Sequence, residues 1–95
     1  MVDSSGNTPL HEACAHGDAS VVKELLKHNA PVKTWNYLNE SPVHTACKKG
    51  FVRVVEVLVA CDQSCVDLTD KQLRSPLHYA ARADQEDVIK FLISK

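Results

Sequence analysis

The sequence predicts an all-α fold, a solenoid of about three helix-turn-helix repeats joined by short finger-like loops. Two observations predict it. A four-residue phrase of Thr or Ser, then Pro, an apolar residue and His begins at Thr8, Ser41 and Ser75, with spacings of 33 and then 34 residues. An apolar stripe with helical spacing follows each copy. Such an array offers a long surface suited to binding and little room for an enclosed active site.

Each phrase is predicted to begin a short helix. Its Thr or Ser caps a free backbone N–H, Pro suits the first helical position, and His at the third position can reach back to the cap. Gly17 and Gly50 follow the first two helices and can take the left-handed conformation that ends a helix. We therefore expect His11, His44 and His78 to bond to their own loops and not to act in catalysis.

A second helix in each repeat is predicted from four apolar residues that share one helical face. These residues are Val21, Val22, Leu25 and Leu26, then Val54, Val55, Leu58 and Val59, then Val88, Ile89, Leu92 and Ile93. One domain over residues 1–95 follows, with repeats at about 3–35, 36–69 and 70–95. We expect the extra residue of the second repeat in a loop from Cys61 to Cys65. The chain stops directly after the last apolar pair, so we expect it to be a fragment of a longer protein.

Composition and charge exclude several classes of function. The net charge of −1 does not favour nonspecific nucleic-acid binding. No apolar run approaches the roughly 18 to 20 residues of a membrane helix, and the N-terminus does not resemble a secretion signal. We expect a soluble, intracellular chain without membrane contact.

The cysteines and histidines do not predict a metal or catalytic site. Cys14 and Cys47 occupy the repeat position that Ala81 fills, which indicates small buried residues. The Cys61–Cys65 spacing does not match a zinc knuckle, so these residues are interpreted as reduced loop thiols. A metalloprotease helix needs two histidines four residues apart, whereas His11 and His16 are five apart. We expect no catalytic residue, metal, cofactor or small-molecule substrate.

The period and the Thr-Pro-Leu-His phrase resemble ankyrin repeats. In that family the finger tips and the exposed side of each first helix line a concave groove. Trp35 directly precedes the second finger and is interpreted either as a partner anchor or as a loop-packing residue. Carried over position by position, with Trp35 added, the resemblance implies these partner-binding candidates: Asn7, Glu12, His16, Trp35, Tyr37, Glu40, Thr45, Lys48, Lys49, Arg74, Tyr79 and Arg82.

Two stretches narrow the resemblance within the ankyrin class. The first stretch covers residues 6–14. The second runs from His28 to His44 and contains Ala30, Val32, Thr34, Tyr37, Asn39, Ser41 and Pro42. Both resemble the ankyrin domain of the BARD family. Members of that family are nuclear proteins with RING, ankyrin and tandem BRCT domains that partner the breast-cancer susceptibility ubiquitin ligase. The resemblance implies a role in the DNA damage response and chromatin, with recognition of the histone H4 tail or nucleosome.

The lysine-reading pattern of that family is only partly retained. The family places Trp, Glu, Asn and Asp at four groove positions, where this sequence has Asn7, Glu12, Ala15 and Thr45. A buried ammonium needs several acceptors at once, so a single glutamate predicts weakened lysine recognition.

The alternative is a generic ankyrin scaffold that binds an acidic peptide or protein. The later part of the groove is rich in cations, and Glu12 and Glu40 are the main acidic side chains of the groove. These cations are Lys48, Lys49, Lys71, Arg74 and Arg82. Such a surface attracts acidic partners. DNA contact is a weaker third option, because nothing in the sequence specifies base readout.

Overall fold

The computed structural model describes residues 4–94 and places them in three antiparallel helix pairs. The inner helices are α1 (Pro9–His16), α3 (Pro42–Lys49) and α5 (Pro76–Arg82), and the outer helices are α2 (Ala19–Lys27), α4 (Val52–Cys61) and α6 (Glu86–Ile93). A short 3₁₀ helix covers Gln63–Asp67. No strand occurs in residues 4–94, which confirms the all-α prediction. The predicted outer ends of the first and third repeats, at residues 3 and 95, lie outside the described residues.

The inner helices begin as their caps predict. Thr8, Ser41 and Ser75 each accept the backbone N–H of the histidine three residues later, and that histidine accepts the cap residue's own N–H. Two otherwise unpaired donors are satisfied in each repeat. Gly17 and Gly50 end α1 and α3 with φ of 77° and 80°, as expected.

The helices pack as two layers, with α1, α3 and α5 side by side and α2, α4 and α6 behind them. The core between the layers contains Leu10, Val22, Val43, Val54, Val55, Leu58, Val59 and Val88. Full burial of one such side chain stabilises the fold by roughly 1.5–3 kcal/mol. The predicted apolar face is fully buried in α4. In the end repeats only Val22 and Val88 are fully buried, and Val21 and Ile93 are exposed. Each belongs to an end repeat, which has one neighbour in the described chain.

The segment between Cys61 and Cys65 differs from the expected loop. The 3₁₀ helix occupies most of it, and Cys65 is fully buried in the core. Cys65 is therefore a packing residue, and Cys61 is the exposed last residue of α4. Both are free thiols, but the interpretation of the pair as loop residues is wrong. Cys14 and Cys47 are fully buried, as the repeat register predicts. Burial raises the pKa of Cys14, Cys47 and Cys65 to about 12.

The capping histidines also join neighbouring repeats. His11 Nε2 lies 2.8 Å from the carbonyl oxygen of Glu40, and His44 Nε2 lies 3.1 Å from that of Arg74. Because Nδ1 of each ring accepts the cap N–H, the proton is on Nε2, which donates to the next finger. Local capping was predictable from sequence, whereas this second bond was not. It fixes each finger against the helix of the preceding repeat.

Candidate partner-binding groove

The second and third fingers are shaped by one side chain each. Asn36 accepts the backbone N–H groups of Leu38 and Glu40 through its side-chain oxygen. Asp70, at the same repeat position, accepts those of Gln72 and Arg74. This repeated loop geometry sets the edge of the concave surface.

Two adjacent depressions form the groove between the fingers and the inner helices. The first has a volume of about 230 Å³ and is lined by Ser5, Asn7, His11, Glu12, Ala15, His16, Asn36, Leu38, Glu40, Thr45, Lys48 and Lys49. The second has a volume of about 310 Å³ and is lined by Glu40, Lys48, Arg74, Tyr79, Arg82 and Ala83. Glu40 and Lys48 belong to both depressions. The structure thus brings together ten of the twelve candidates that the sequence predicts, all except Trp35 and Tyr37.

An ion pair divides the two depressions. Lys48 Nζ lies 3.2 Å and 3.0 Å from the two carboxylate oxygens of Glu40. Because the carboxylate is largely shielded from solvent, the pair neutralises both side chains where they meet the groove. Lys48 therefore adds less positive charge to the groove than the sequence predicts.

A second internal network lies beneath the third finger. Asp70 Oδ2 accepts the Arg74 Nε–H at 2.7 Å and the Tyr79 hydroxyl at 2.6 Å. The Tyr79 ring packs against His44 with centroids 4.6 Å apart, and the Arg74 guanidinium lies 5.5 Å from that ring. Arg74 is thus committed to Asp70, an acceptor that the sequence reasoning missed. The signal was available, since Asp70 aligns with the loop-capping Asn36.

This network shifts the pKa values of its members. Burial of Asp70 opposes its ionisation, but hydrogen bonds from Tyr79, Arg74 and Gln72 outweigh this effect and hold the pKa of Asp70 well below its usual range. Burial and the nearby Asp70 carboxylate raise the pKa of Tyr79. Burial lowers the pKa of His44. At neutral pH the third finger is therefore held by a carboxylate, a neutral phenol and a neutral imidazole.

Two of the predicted contact residues lie in the floor of the groove. Tyr79 is only 8% exposed, and its hydroxyl is bonded to Asp70, so this candidate offers a partner little accessible surface. Thr45 is also buried, and its hydroxyl donates to the Ser41 carbonyl at 3.4 Å. Both residues shape the groove wall from below, since packing of α3 and α5 turns them inward.

The remaining aromatic candidates hold fingers together. The Trp35 indole N–H donates to the Thr69 carbonyl at 3.2 Å, a link between equivalent positions of two repeats. Tyr37 packs its ring over Gly6, where an added Cβ would lie 2.7 Å from the ring, and its backbone N–H donates to the Ser5 carbonyl. Trp35 is interpreted from the sequence either as a partner anchor or as a loop-packing residue, and its bond to Thr69 supports loop packing. The Trp35 ring is partly exposed. The Tyr37 ring is largely exposed at the finger tip.

Three exposed charges of the groove lining, and a fourth on the third finger, are not used in internal pairs. Glu12 lies on α1, Lys49 on α3, Lys71 on the third finger and Arg82 on α5. Among residues 4–94, none of the four forms an ion pair. Within the same range, no group of three His, Cys, Asp or Glu side chains is placed to hold a metal ion. The groove therefore offers charge and shape to a partner.

Comparison with known proteins identifies the family. A model of ankyrin repeats in three copies matches residues 1–67 and again 33–95. The chain belongs to the ankyrin-repeat family. Ankyrin repeats generally serve as protein-interaction modules, and we describe this chain as an ankyrin-repeat protein-binding module.

The relatives carry similar repeats in much larger proteins. The transient receptor potential cation channel subfamily A member 1 of Drosophila melanogaster is 34% identical over 97 residues, which is 98% of this chain and 8% of the channel. The human protein of the same name is 30% identical over 101 residues, again 98% of this chain and 8% of the channel. Alpha-latrotoxin-Lt1a of Latrodectus tredecimguttatus is 33% identical over 92 residues, or 95% of this chain and 6% of the toxin. This chain thus spans less than a tenth of the length of these relatives. No helix within residues 4–94 is long and apolar enough to cross a membrane.

Proposed function

We propose that this ankyrin module is non-enzymatic and binds an acidic peptide, or an acidic protein surface, along its second and third repeats. One observation carries the proposal. The acidic side chains in this part of the groove, Glu40 and Asp70, are engaged by Lys48 and Arg74, while Arg82, Lys49 and Lys71 remain exposed without ion pairs among residues 4–94. The charge available to a partner is therefore positive.

The second depression suits a carboxylate side chain. Arg82 contributes a guanidinium that can bind both oxygens of a carboxylate, and the Tyr79 ring forms a wall that limits water on one side. An exposed ion pair contributes up to about 1 kcal/mol, so affinity requires several contacts along the groove. Such binding weakens as salt increases.

A second candidate function is recognition of the histone H4 tail or nucleosome. It rests on the resemblance to the BARD family and on the exposed Glu12, which lies with Asn7 in the first depression. This function would place the chain in the nucleus, in a RING-containing ubiquitin-ligase subunit of the DNA damage response. The first depression also contains Lys49, and its other carboxylate, Glu40, is bonded to Lys48. Both features oppose a basic tail, so the acidic partner is favoured.

Peptide titration separates these candidates. The probes are a capped acidic peptide, an unmethylated H4-tail peptide, a dimethylated H4-tail peptide and a short DNA duplex, each at low and physiological salt. The Arg82→Glu substitution should weaken acidic-peptide binding about tenfold, since it removes one attraction and adds a repulsion. Arg53→Glu is the matched control, because Arg53 is exposed on the outer helix α4 and has the same charge.

The outcomes distinguish the two functions. Acidic-peptide binding that Arg82→Glu weakens and Arg53→Glu leaves unchanged supports the acidic-partner function. Tighter binding of the unmethylated H4 peptide than of the dimethylated one, lost in Glu12→Ala, would replace it with histone recognition. Preferential binding of the duplex, or no difference between the two arginine variants, would overturn the proposal.

A further inference from the structure

We propose that the bound segment is extended and carries both charges: an acidic residue that contacts Arg82 and, about six positions away, a single basic residue that contacts Glu12. This inference rests on the proposed function and adds the charge pattern and spacing of the partner. It follows from how charge is distributed along the groove.

The groove changes from acidic to basic along the repeat axis. In the first repeat, Glu12 is the carboxylate of the lining, and His16 lies one turn later. The third-repeat charges that line the groove are those of Arg74, which is paired with Asp70, and Arg82. Between them, Glu40 and Lys48 neutralise each other. A uniformly acidic segment would therefore meet repulsion from Glu12 at one end.

Glu12 and Arg82 are the charges at the two ends that remain available. Both side chains are exposed, and neither forms an ion pair within the described part of the chain. Lys48 and Arg74 lie closer to the groove floor but are engaged by carboxylates at 3.0 Å and 2.7 Å. An incoming segment would have to break these internal pairs to use them, whereas Glu12 and Arg82 require only desolvation.

The spacing follows from the stacking of the inner helices. Glu12 lies on α1 and Arg82 on α5, and α3 packs between these two helices. Packed helices are about 8–10 Å apart, so two steps separate the charges by roughly 20 Å. An extended chain covers about 3.3 Å per residue, and six residues therefore span this distance. A spacing of two positions covers only about 7 Å, well short of this separation.

The middle of the groove restricts the rest of the segment. Thr45 and the Glu40–Lys48 pair form its floor, and Leu38 lies at its finger edge. Lys49 lines the same depression as Glu12. It would repel a second basic residue of the bound segment next to the one that contacts Glu12. The partner is thus expected to have neutral residues between its two charges, and this pattern excludes a polybasic tail.

Three capped peptides of equal length test the inference. The first has Lys and Glu six positions apart, the second has the same composition with Lys and Glu two positions apart, and the third has Gln in place of the Lys. At low salt the widely spaced peptide should bind about fivefold more tightly than either of the others, the size of one additional exposed ion pair. Glu12→Gln should remove this advantage and leave the Gln-containing peptide unaffected or slightly tighter. Glu56→Gln, an exposed position on α4 of the outer layer, is the matched control.

The results separate this inference from the function on which it rests. Equal affinities for all three peptides, each still weakened by Arg82→Glu, would overturn the spacing inference and leave the acidic-partner function intact. Binding of none of these peptides, together with no binding of the capped acidic peptide, would overturn both. An advantage of the widely spaced peptide that survives Glu12→Gln would also contradict the inference, because the basic residue would then contact another group.

Discussion

Leu73 adopts a backbone conformation that its side chain disfavours. Its φ is 63°, and the equivalent positions in the first two fingers are Gly6 with φ of 76° and Asn39 with φ of 62°. Gly and Asn visit the left-handed region most readily, whereas Leu pays a steric cost there. Leu73 is also 77% exposed, so little packing offsets the cost.

We therefore expect Leu73→Asn to stabilise the protein. The gain should be about 1 kcal/mol in the free energy of unfolding, measured by urea denaturation followed by circular dichroism. Leu38→Asn is the control, because Leu38 is also an exposed finger residue but does not have a positive φ. If both substitutions change stability equally, the gain comes from removing exposed apolar surface and the strain argument is wrong.

At the scale of the element, the inner helix of each repeat is held by its histidine. His44 combines a cap bond to Ser41 with a bond to the Arg74 carbonyl and is fully buried. His78 makes the same cap bond to Ser75 but is exposed. The two residues share one sequence phrase and differ in what packs against them. They form a matched pair for separating capping from the link between repeats.

Removing the two histidines should therefore have unequal effects. His44→Ala should lower the free energy of unfolding by about 3 kcal/mol, because it leaves a cavity and unsatisfied groups on Ser41 and Arg74. His78→Ala should cost about 1 kcal/mol, as expected for a lost cap interaction. Equal losses in urea denaturation would show that the bond to the next finger contributes nothing.

The same experiment has a defined pH dependence. Burial lowers the pKa of His44 in the folded state, so below the unfolded value of about 6.5 the native protein binds fewer protons than the unfolded chain. Stability contributed by neutral His44 is complete above that pH and decreases as the pH falls through it toward the folded pKa. His44→Ala should reduce this decrease between pH 7 and pH 5.

At the scale of the whole molecule, the features readable from sequence are those set by local chemistry. Helix starts follow from Thr or Ser, Pro and His within one turn, and buried faces follow from apolar spacing, so the repeats could be predicted.

Properties that depend on pairing between side chains were harder to predict. Lys48 and Arg74 looked like groove cations because sequence alone does not show that Glu40 and Asp70 reach them. Tyr79 looked accessible because its burial depends on the network around Asp70. Glu40–Lys48 and Asp70–Tyr79 each join a finger to the inner helix of the same repeat, and Arg74 reaches Asp70 within the third finger. Their geometry exists only after each finger has folded back on its helix.

The position of a repeat in the stack also decides how much a given residue type contributes to the free energy of unfolding. Leu10 and Leu77 follow the same Pro in the same phrase, yet Leu10 is 1% exposed and Leu77 is 39% exposed. The helix of Leu10, α1, packs against α3 of the second repeat, whereas the helix of Leu77, α5, has no following repeat among residues 4–94. Leu10→Ala should cost about 3 kcal/mol in the free energy of unfolding, as for a buried leucine, and Leu77→Ala about 1 kcal/mol or less. Thermal and urea denaturation of both variants measure the difference. Equal costs would mean that stability is set within each repeat, whereas the expected inequality locates it at the interfaces between repeats.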